Sequence, residues 1–298
     1  MKTKLTKSNL RDARTGYIFI LPFVVLFAVF KVYPLIYGFA VSFLGRNSIR
    51  TVSDTTFVGL ENYVKVLQSN SFWTSLEKSF QYALIYTVVV MVGGFLTAML
   101  LNRKFRGRTF VRTMAYLPYV TNVIAIGIVL KYLFNPTKGP INAIFRAFGE
   151  AGPKWFSSPD LALPMTAIIG AWLAMAFNTI TILAALQDIP NDLFEVADIE
   201  GASGLQRIRY IVLPMISSAL FMLLTITVIN SFKSYTTVVS LTNGGPASSS
   251  RVLSLQIYED AFTYMKFSIA AAEGTLFTLI IIAFNKILDK VRAVWENR

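Results

Sequence analysis

Six long apolar stretches alternate with polar segments along the 298-residue chain. Each is close to, or longer than, the roughly 20 residues that a helix needs to cross the hydrocarbon core of a bilayer. They comprise residues 16–44, 79–102, 113–134, 161–187, 210–241 and 267–285. Because backbone amides in hydrocarbon must bond within their own segment, the pattern predicts an all-α, polytopic membrane protein with six transmembrane helices.

Few charges fall inside the predicted spans, and these are Lys31, Lys131, Lys233 and Glu273. Basic residues precede the first stretch, but its apolar run is far longer than the roughly 7–15 residues of a secretory signal. We therefore expect the first helix to be retained and the whole chain, 1–298, to form a single transmembrane domain.

Composition supports this interpretation, since 54% of the residues are hydrophobic and only 15% are charged. Soluble chains have about 45–50% and about 25%, respectively, so a soluble enzyme and a disordered chain are excluded. The net charge of +12 would suit a nucleic-acid partner. The placement of the basic residues gives a different explanation.

Residues 102–112, between the second and third spans, contain five bases and no acid. With six spans, this segment lies on the same side of the membrane as both termini and the segment after the fourth span. That side collects sixteen of the 28 Lys and Arg residues, and the positive-inside rule then predicts that both termini are cytoplasmic. The positive charge is therefore chiefly a topology signal, and we expect contact with membrane lipid but no nucleic-acid partner.

The chain contains neither cysteine nor histidine. Disulfides, thiolate nucleophiles and metal ligation by these side chains are therefore excluded. We predict no catalytic residue and no metal site.

Two outer segments, residues 57–78 and 135–160, contain short amphipathic patterns. Apolar residues recur there at helical spacing, at Leu60, Tyr63, Val64 and Leu67 and at Ile141, Ile144, Phe145 and Phe148. The patterns predict one short helix in each segment. These helices either cap the membrane domain or contact a partner.

The most specific pattern lies between the fourth and fifth spans, in residues 188–209. Asp192 and Glu195 have the spacing of a capping box, which predicts a short helix. The apolar strip of this helix would be formed by Leu193, Phe194 and Ala197. Gly201 suits a sharp helix exit with positive φ. From these residues alone, the segment is either a capped surface helix or a projection that contacts a partner.

Part of this segment resembles the EAA loop of ABC importer permeases. The matching residues are Glu195, Ala197, Gly201, Ile211, Leu213 and Pro214. The pattern fixes spacing over twenty residues, which makes it specific. Val196 departs from it, because the family prefers alanine there, and its two extra methyl groups need a complementary pocket in the partner.

The resemblance extends over nearly the whole chain, to the carbohydrate-uptake permeases of the maltose and multiple-sugar type. Residues 17–43 are similar to the first span of that family. Further matching motifs are FVGLENY at 57–63, LNR at 101–103, RGR at 106–108, LPY at 117–119 and LTNGGP at 241–246. Several widely spaced matches in the same order make coincidence an unsatisfactory explanation.

This resemblance implies the type I ABC importer permease architecture and a subunit that translocates a sugar or oligosaccharide across a bacterial cell membrane. The implied partners are a second homologous permease, as a heterodimer, two cytoplasmic ATPase subunits and an extracytoplasmic sugar-binding protein. The loop would dock on the ATPase through Glu195, Ala197, Gly201, Leu213 and Pro214. No GxxxxGK[ST] motif is present, so partner subunits would bind ATP and magnesium, and the chain is expected to be a transport subunit without a cofactor.

A sugar passage needs hydrogen-bonding side chains and aromatic faces. In the fifth span Thr227, Asn230, Ser231 and Ser234 fall on one helical face, with Lys233 beside them. The same residue types also join transmembrane helices to one another, and both interpretations stay open. Alignment with maltose-type permeases implies further passage-lining residues at Tyr119, Leu173, Ala174 and Phe177.

Glu273 is the least expected residue, because a carboxylate inside a membrane span is costly and marks a candidate site. It either pairs with Lys233, contacts substrate in the passage or contacts the partner permease. An alternative function, ion-coupled secondary transport, would use Glu273 as the coupling acid. A membrane-embedded enzyme is a second alternative. Lys233 and Arg251 leave an anionic substrate open.

Overall fold

A computed structural model describes residues 7–45 and 56–296, which fold almost entirely into helices. The helices are α1 (Lys7–Phe27), α2 (Tyr33–Val41), α3 (Glu61–Gln68), α4 (Asn70–Asn102), α5 (Arg108–Val120), α6 (Val123–Leu133), α7 (Pro140–Ala147), α8 (Pro159–Gln187), α9 (Asn191–Ile199), α10 (Gly204–Arg207), α11 (Leu213–Met215), α12 (Ser217–Phe232), α13 (Tyr235–Leu241), α14 (Leu253–Tyr258) and α15 (Phe267–Glu296). Three π-helical segments are Ala28–Val32, Ile208–Val212 and Glu259–Thr263. Two short antiparallel strands are β1 (Leu44–Gly45) and β2 (Thr56–Phe57).

The chain divides into two compact units. The first holds the described residues up to Gln68 together with Glu259–Leu276. The second holds Ser69–Tyr258 and the described residues from Phe277 onward. The single domain expected for 1–298 stays a prediction.

In the first unit, α1, the π-helical segment and α2 form one candidate span, Thr15–Val41, close to the predicted 16–44. None of the most apolar part of this helix is buried, so lipid or another chain is needed to cover it. After α2, Asn62 ties α3 to the chain near β1 by donating to the carbonyls of Ser42 and Leu44, at 2.8 and 3.0 Å.

The second unit is organised around α4 packed along α8. Glycines allow the two helices to approach closely. A Cβ added at Gly94 would lie 3.1 Å from the Cβ of Asn178, and one added at Gly170 would collide with the Tyr82 hydroxyl. Small residues at a helix contact are typical of membrane proteins, where close packing rather than the hydrophobic effect joins helices.

Two large apolar clusters and one smaller cluster, around Leu173, fill the second unit. One contains Tyr82, Tyr86, Val90, Leu163, Ala167, Ala171, Val238, Val252 and Leu255. The other contains Ala98, Leu101, Ile182, Leu183, Leu186, Ile189, Val212, Ile216 and Leu223, and is named the base cluster below. The base cluster includes residues on both sides of 188–209, so it anchors both ends of that segment.

The third predicted span, 113–134, is not one straight helix, and the expectation of a continuous helix is wrong there. The axes of α5 and α6 differ by 103°. Thr121 is extended, with φ −88° and ψ 147°. Asn122 then caps α6, because its side-chain oxygen accepts from the amides of Ile124 and Ala125.

The fifth predicted span, 210–241, is also interrupted. The helical segments Gly204–Met215 and Ser217–Phe232 differ in direction by 73°. Pro214 lacks the amide proton that would continue the helical ladder, and Ile216 leaves helical geometry with φ −98° and ψ 7°. A second interruption lies at Lys233, with φ −91° and ψ 30°, before α13 begins.

The other predicted spans fall on long helices. Stretches 79–102, 161–187 and 267–285 lie within α4, α8 and α15. Together with Thr15–Val41, these make four described helices that are long and apolar enough to cross a membrane, or six spans if each bent pair counts as one. The all-α, polytopic fold is therefore confirmed.

Both predicted outer helices form, as α3 and α7. Asn142 on α7 is fully buried and accepts a 2.6 Å hydrogen bond from the Trp155 indole, while Phe145 packs on the same ring system. Ile144 and Phe148 face outward, 61% and 82% exposed. One side of this helix therefore caps the second unit, and the other is left for lipid or a partner.

Candidate functional site

The short helix α9 opens the candidate coupling loop, residues 188–209, directly after α8. Pro190 occupies the N-cap position, and no side chain caps the helix. The capping box predicted for Asp192 and Glu195 is therefore wrong. The helix is instead held in place by Ile189, which is buried in the base cluster, and by Phe194, which packs against that cluster.

Gly201 ends α9 as the sequence predicts, with a φ of +69°. The amide of Ala202 donates to the carbonyl of Ala197 at 2.9 Å. The amide of Gly201 donates to the carbonyl of Asp198 at 3.2 Å. These two bonds form a Schellman motif, which requires a left-handed residue at the Gly201 position. The glycine thus fixes the direction in which the chain leaves α9.

A capping box is present eleven residues later than predicted, at the start of α10. The Ser203 amide donates to Oε1 of Gln206 at 2.7 Å, and the Gln206 amide donates to the Ser203 hydroxyl at 3.4 Å. The S-x-x-Q spacing of a capping box is present in the sequence at Ser203 and Gln206, but the prediction used the acidic pair Asp192 and Glu195 instead.

Arg207 closes the loop by reaching back across the turn. Its Nη2 lies 2.5 Å from Oδ1 of Asp198, and its Nε donates to the Ala202 carbonyl at 2.9 Å. The guanidinium therefore bridges the last turn of α9 and the chain after Gly201. Sequence reasoning missed this bridge, although opposite charges nine residues apart across a predicted turn are its signal.

The exposed face of the loop differs from the predicted apolar strip. Ala197 is buried and Phe194 contacts the base cluster, so these two members face inward. Val196, Ile199 and Leu205 are instead 58%, 85% and 76% exposed. Leu193 is partly exposed, and the acidic side chain of Glu195 is exposed. The loop therefore presents apolar and acidic groups together.

Leu213 and Pro214 lie beyond the loop, where the π-helical segment Ile208–Val212 meets α11. Leu213 is half-buried and Pro214 is exposed, while their neighbours Val212 and Ile216 are buried in the base cluster. The two predicted residues thus belong to the connection between the loop and α12.

Two predicted passage residues contact each other. The rings of Tyr119, at the end of α5, and Phe177, on α8, are stacked with centroids 6.3 Å apart and planes at 22°. Both are about two-fifths exposed. An accessible aromatic pair of this kind offers a face on which a sugar ring can stack.

The remaining residues predicted for the passage on α8 are less accessible. Leu173 is buried in an apolar cluster with Ile169 and Leu241. Ala174 is partly buried against the neighbouring cluster.

The polar residues of the fifth span do not share one environment. Thr227 is buried, and its hydroxyl accepts from the Asn178 amide group at 3.0 Å. Ser231 is also buried and donates to the Val228 carbonyl at 2.6 Å. The Thr227 bond joins α12 to α8 and favours the helix-joining interpretation, whereas the Ser231 bond lies within α12 and joins no helices.

The polar face also ends at the second interruption of the fifth span. Ser234 is buried there, as the residue that precedes α13. Asn230 and Lys233 are exposed near the same interruption. These two remain the accessible polar groups of the set.

Glu273 lies on the part of α15 that belongs to the first unit, and it is 2% exposed. This carboxylate therefore lies buried within the long helix α15, and its role stays a prediction. Among the described residues, no group of three or more acidic, histidine or cysteine side chains could hold a metal ion.

Comparison with known proteins gives a consistent result. Residues 90–293 match the family described as binding-protein-dependent transport system inner membrane component. The trehalose/maltose transport system permease protein MalF of Thermococcus litoralis is 29% identical over 98% of both chains. The sn-glycerol-3-phosphate transport system permease protein UgpA of Agrobacterium fabrum is 30% identical over 90% of this chain and 91% of its own.

The fold also matches solved structures. A chain of a bacterial alginate ABC transporter, in complex with an alginate pentasaccharide-bound periplasmic protein, superposes with a TM-score of 0.85. The sequences are 20% identical, and the match covers 98% of this chain and 99% of the other. At this identity the likeness concerns the fold alone.

Proposed function

This chain belongs to the family of inner membrane components of binding-protein-dependent transport systems, and we propose that it is the permease subunit of an ATP-driven importer of a sugar or oligosaccharide. Full-length similarity to a trehalose/maltose permease supports a sugar substrate. The coupling loop, with its fixed turn at Gly201, is the observation that carries the proposal. The ion-coupled alternative that would use Glu273 finds no support in the family match.

The loop would transmit ATP-driven movement from ATPase subunits to the membrane helices. It projects Glu195, Val196 and Ile199 outward, while Phe194 packs on the base cluster and Ala197 is buried. Such a projection suits a groove with apolar walls and a basic rim. The exposed Val196 side chain would occupy the complementary pocket that its departure from the family pattern requires.

A second homologous permease is the proposed membrane partner. The bare apolar helix Thr15–Val41 and the outward-facing Ile144 and Phe148 provide surface that lipid and such a partner would cover. The whole chain would act as one membrane domain with both termini cytoplasmic, as the distribution of Lys and Arg favours. An extracytoplasmic binding protein would then deliver substrate from the side opposite the coupling loop.

The stacked pair Tyr119 and Phe177 is the proposed sugar-contacting site, with Asn230 and Lys233 as accessible polar groups. Lys233 would also tolerate an anionic substrate. The glycerol-phosphate permease among the relatives keeps acidic substrates in the set to be tested. Binding assays of the cognate binding protein with neutral and acidic oligosaccharides would identify the class.

The proposal is tested by placing an aspartate at either of two glycines in the loop. Gly201→Asp puts a side chain at a φ of +69°, whereas Gly204→Asp adds the same group three residues later, on the first residue of α10. Neither added Cβ would touch another atom, so both variants should insert in the membrane. We expect Gly201→Asp to abolish ATP-driven uptake by the intact transporter in proteoliposomes, and Gly204→Asp to retain it.

Coupled uptake at the wild-type rate in Gly201→Asp would show that the loop does not couple ATP hydrolysis to transport. Removing the ATPase subunits gives an independent test. Uptake that persists without them, and is lost in Glu273→Gln, would restore the ion-coupled alternative.

A further inference from the structure

The connection between α4 and α5 is the most basic surface of the second unit. Its bases are Arg103, Lys104, Arg106, Arg108 and Arg112. No acidic residue occurs anywhere between Glu77 and Glu150, so the sequence places no counter-charge near these bases. We name residues 103–112 the basic turn.

Among the residues that the structure describes, these bases have no ionic partner. Across residues 7–45 and 56–296, none of the five takes part in an ion pair. Four are exposed, and Arg108 is half-buried, with its Nε atom out of contact with water and without a hydrogen-bond acceptor. A buried donor of this kind is costly unless an acceptor from outside the chain reaches the guanidinium. The surface is therefore built for an anionic ligand.

The start of α5 adds backbone donors to this surface. Gly107 occupies its N-cap with a φ of +86° and provides no side-chain acceptor. The Arg108 amide donates to the Phe105 carbonyl at 3.4 Å, and no side chain caps the amides that follow in this 13-residue helix. An uncapped helix start favours an anion, and here it coincides with the side chains of Arg106 and Arg108.

Apolar side chains are interleaved with the bases. Phe105 is 38% exposed and Phe110 is 67% exposed. Further along α5, Met114 and Leu117 are exposed at the spacing of one helical face. Bases alternating with exposed aromatic groups are typical of segments that lie at the boundary between lipid headgroups and acyl chains.

We propose that the basic turn binds the phosphate groups of anionic phospholipids, with Phe105 and Phe110 inserted at the acyl boundary. This position follows from chain continuity, because the turn directly joins the membrane helix α4 to the amphipathic α5. A membrane supplies both the negative charge and the apolar surface that these residues need. An acidic surface on a partner protein would satisfy the bases but would leave the two rings in water.

The test measures lipid enrichment around the full-length chain. The protein is reconstituted in vesicles of equal parts phosphatidylglycerol and phosphatidylcholine, extracted in mild detergent and analysed by native mass spectrometry for retained lipid. We expect phosphatidylglycerol to be enriched. The triple variant Arg103→Gln, Arg106→Gln, Arg108→Gln should lower its apparent affinity by about tenfold or more, since each base near an anionic surface contributes appreciably.

Two control variants separate lipid binding from other effects. Lys131→Gln, Lys138→Gln, Lys154→Gln removes three exposed bases elsewhere in the second unit and should retain the enrichment. Arg103→Lys, Arg106→Lys, Arg108→Lys preserves the charge and should also retain most of the enrichment.

The orientation of each variant is checked separately. Because the chain has no cysteine, a single Ser157→Cys substitution reports whether each variant keeps its orientation, by labelling from one side of the vesicle.

Several results would overturn the proposal. Equal retention of phosphatidylglycerol by the wild type and the Gln triple variant would overturn it. The same loss of phosphatidylglycerol in the lysine-to-glutamine control as in the Gln triple variant would also overturn it. Displacement of the lipid by millimolar glycerol 1-phosphate would assign the site to a free phosphate compound. If the Gln triple variant no longer co-purified with the ATPase subunits but retained as much lipid as the wild type, the surface would be assigned to a partner protein.

Discussion

Arg207 forms an ion pair with Asp198 across the turn at Gly201, with 2.5 Å between Nη2 and Oδ1. The same guanidinium donates to the Ala202 carbonyl. One side chain therefore holds both sides of the turn, so α9 keeps a set direction relative to α10. If the loop docks on an ATPase, this direction decides how a push on α9 is passed to the membrane.

Breaking the ion pair should weaken coupling without unfolding the protein. The pair is partly exposed, so Asp198→Asn is expected to cost about 0.2–1 kcal/mol and to lower ATP-driven uptake up to roughly fivefold. ATP hydrolysis by the purified transporter should fall less than uptake does. The charge-swapped variant Asp198→Arg, Arg207→Asp should recover part of the lost uptake. If its uptake were lowered by as much as the two single substitutions together predict, the ion pair would have no function in coupling.

The left-handed conformation of Gly201 predicts an order among substitutions. Asparagine adopts positive φ more readily than other residues with side chains, whereas a β-branched residue does so with strain. Gly201→Asn should therefore keep most of the coupled uptake, and Gly201→Val should lose nearly all of it. Membrane insertion should be equal in both, because no atom lies within 4 Å of the added Cβ. Similar uptake by the two variants would mean that the turn geometry has no part in coupling.

The hydrogen bond between Asn178 and Thr227 distinguishes helix packing from substrate contact. Thr227→Val removes the oxygen acceptor of the buried Asn178 amide group and leaves it only the Met91 sulfur at 3.3 Å, which costs about 1–3 kcal/mol. We expect a lower melting temperature in detergent, while Thr227→Ser should behave like the wild type. If Thr227→Val instead raises the KM for transport without changing the melting temperature, Thr227 contacts the substrate.

The stacked rings of Tyr119 and Phe177 predict a joint effect on translocation. Tyr119→Ala and Phe177→Ala should each reduce the maximal uptake rate, while affinity of the separate binding protein for sugar stays unchanged. Tyr119→Phe keeps the ring and should retain most of the rate. The double alanine variant should be less impaired than the product of the single effects, because both remove one stacking surface. Full additivity would mean that the rings act independently.

Asn122 should stabilise the corner between α5 and α6. Its oxygen caps α6 by accepting from two amides, so Asn122→Ala is expected to cost about 0.5–2 kcal/mol. Asn122→Asp and Asn122→Ser retain an acceptor and should be milder. Thermal unfolding of the purified protein gives the comparison, and an unchanged melting temperature in Asn122→Ala would show that packing alone holds the corner.

Sequence patterns predict the helices and the Gly201 turn because these depend on local properties. Long apolar runs require helices in lipid, and a glycine after a capped segment favours positive φ. The corner at Thr121 and Asn122 is different, because two uncharged polar residues barely interrupt an apolar stretch. Hydropathy averages over about twenty residues and therefore hides it.

The burial and the contact partners of individual side chains could also not be predicted from the sequence. Thr227, Asn230, Ser231 and Ser234 share a face only if the helix continues, and it ends at Lys233. Which of them is buried depends on the partner helix, since Asn178 comes from a segment 49 residues away. Phe194 likewise faces inward because it packs on the base cluster, which no local pattern could reveal.

The close contact between α4 and α8 has a mechanical consequence. At 1.5 Å per residue the two helices extend over about 50 Å and about 44 Å, more than the roughly 30 Å of hydrocarbon. Because both helices approach closely at Gly94 and Gly170, we expect them to resist sliding past one another and to move together as one rigid pair, a stiff lever. Because α9 follows α8 after only three residues, force applied at the loop would reach the far side of the bilayer through this lever. Bending is then left to the three places where helices already break, at Thr121, at Ile216 and at Lys233.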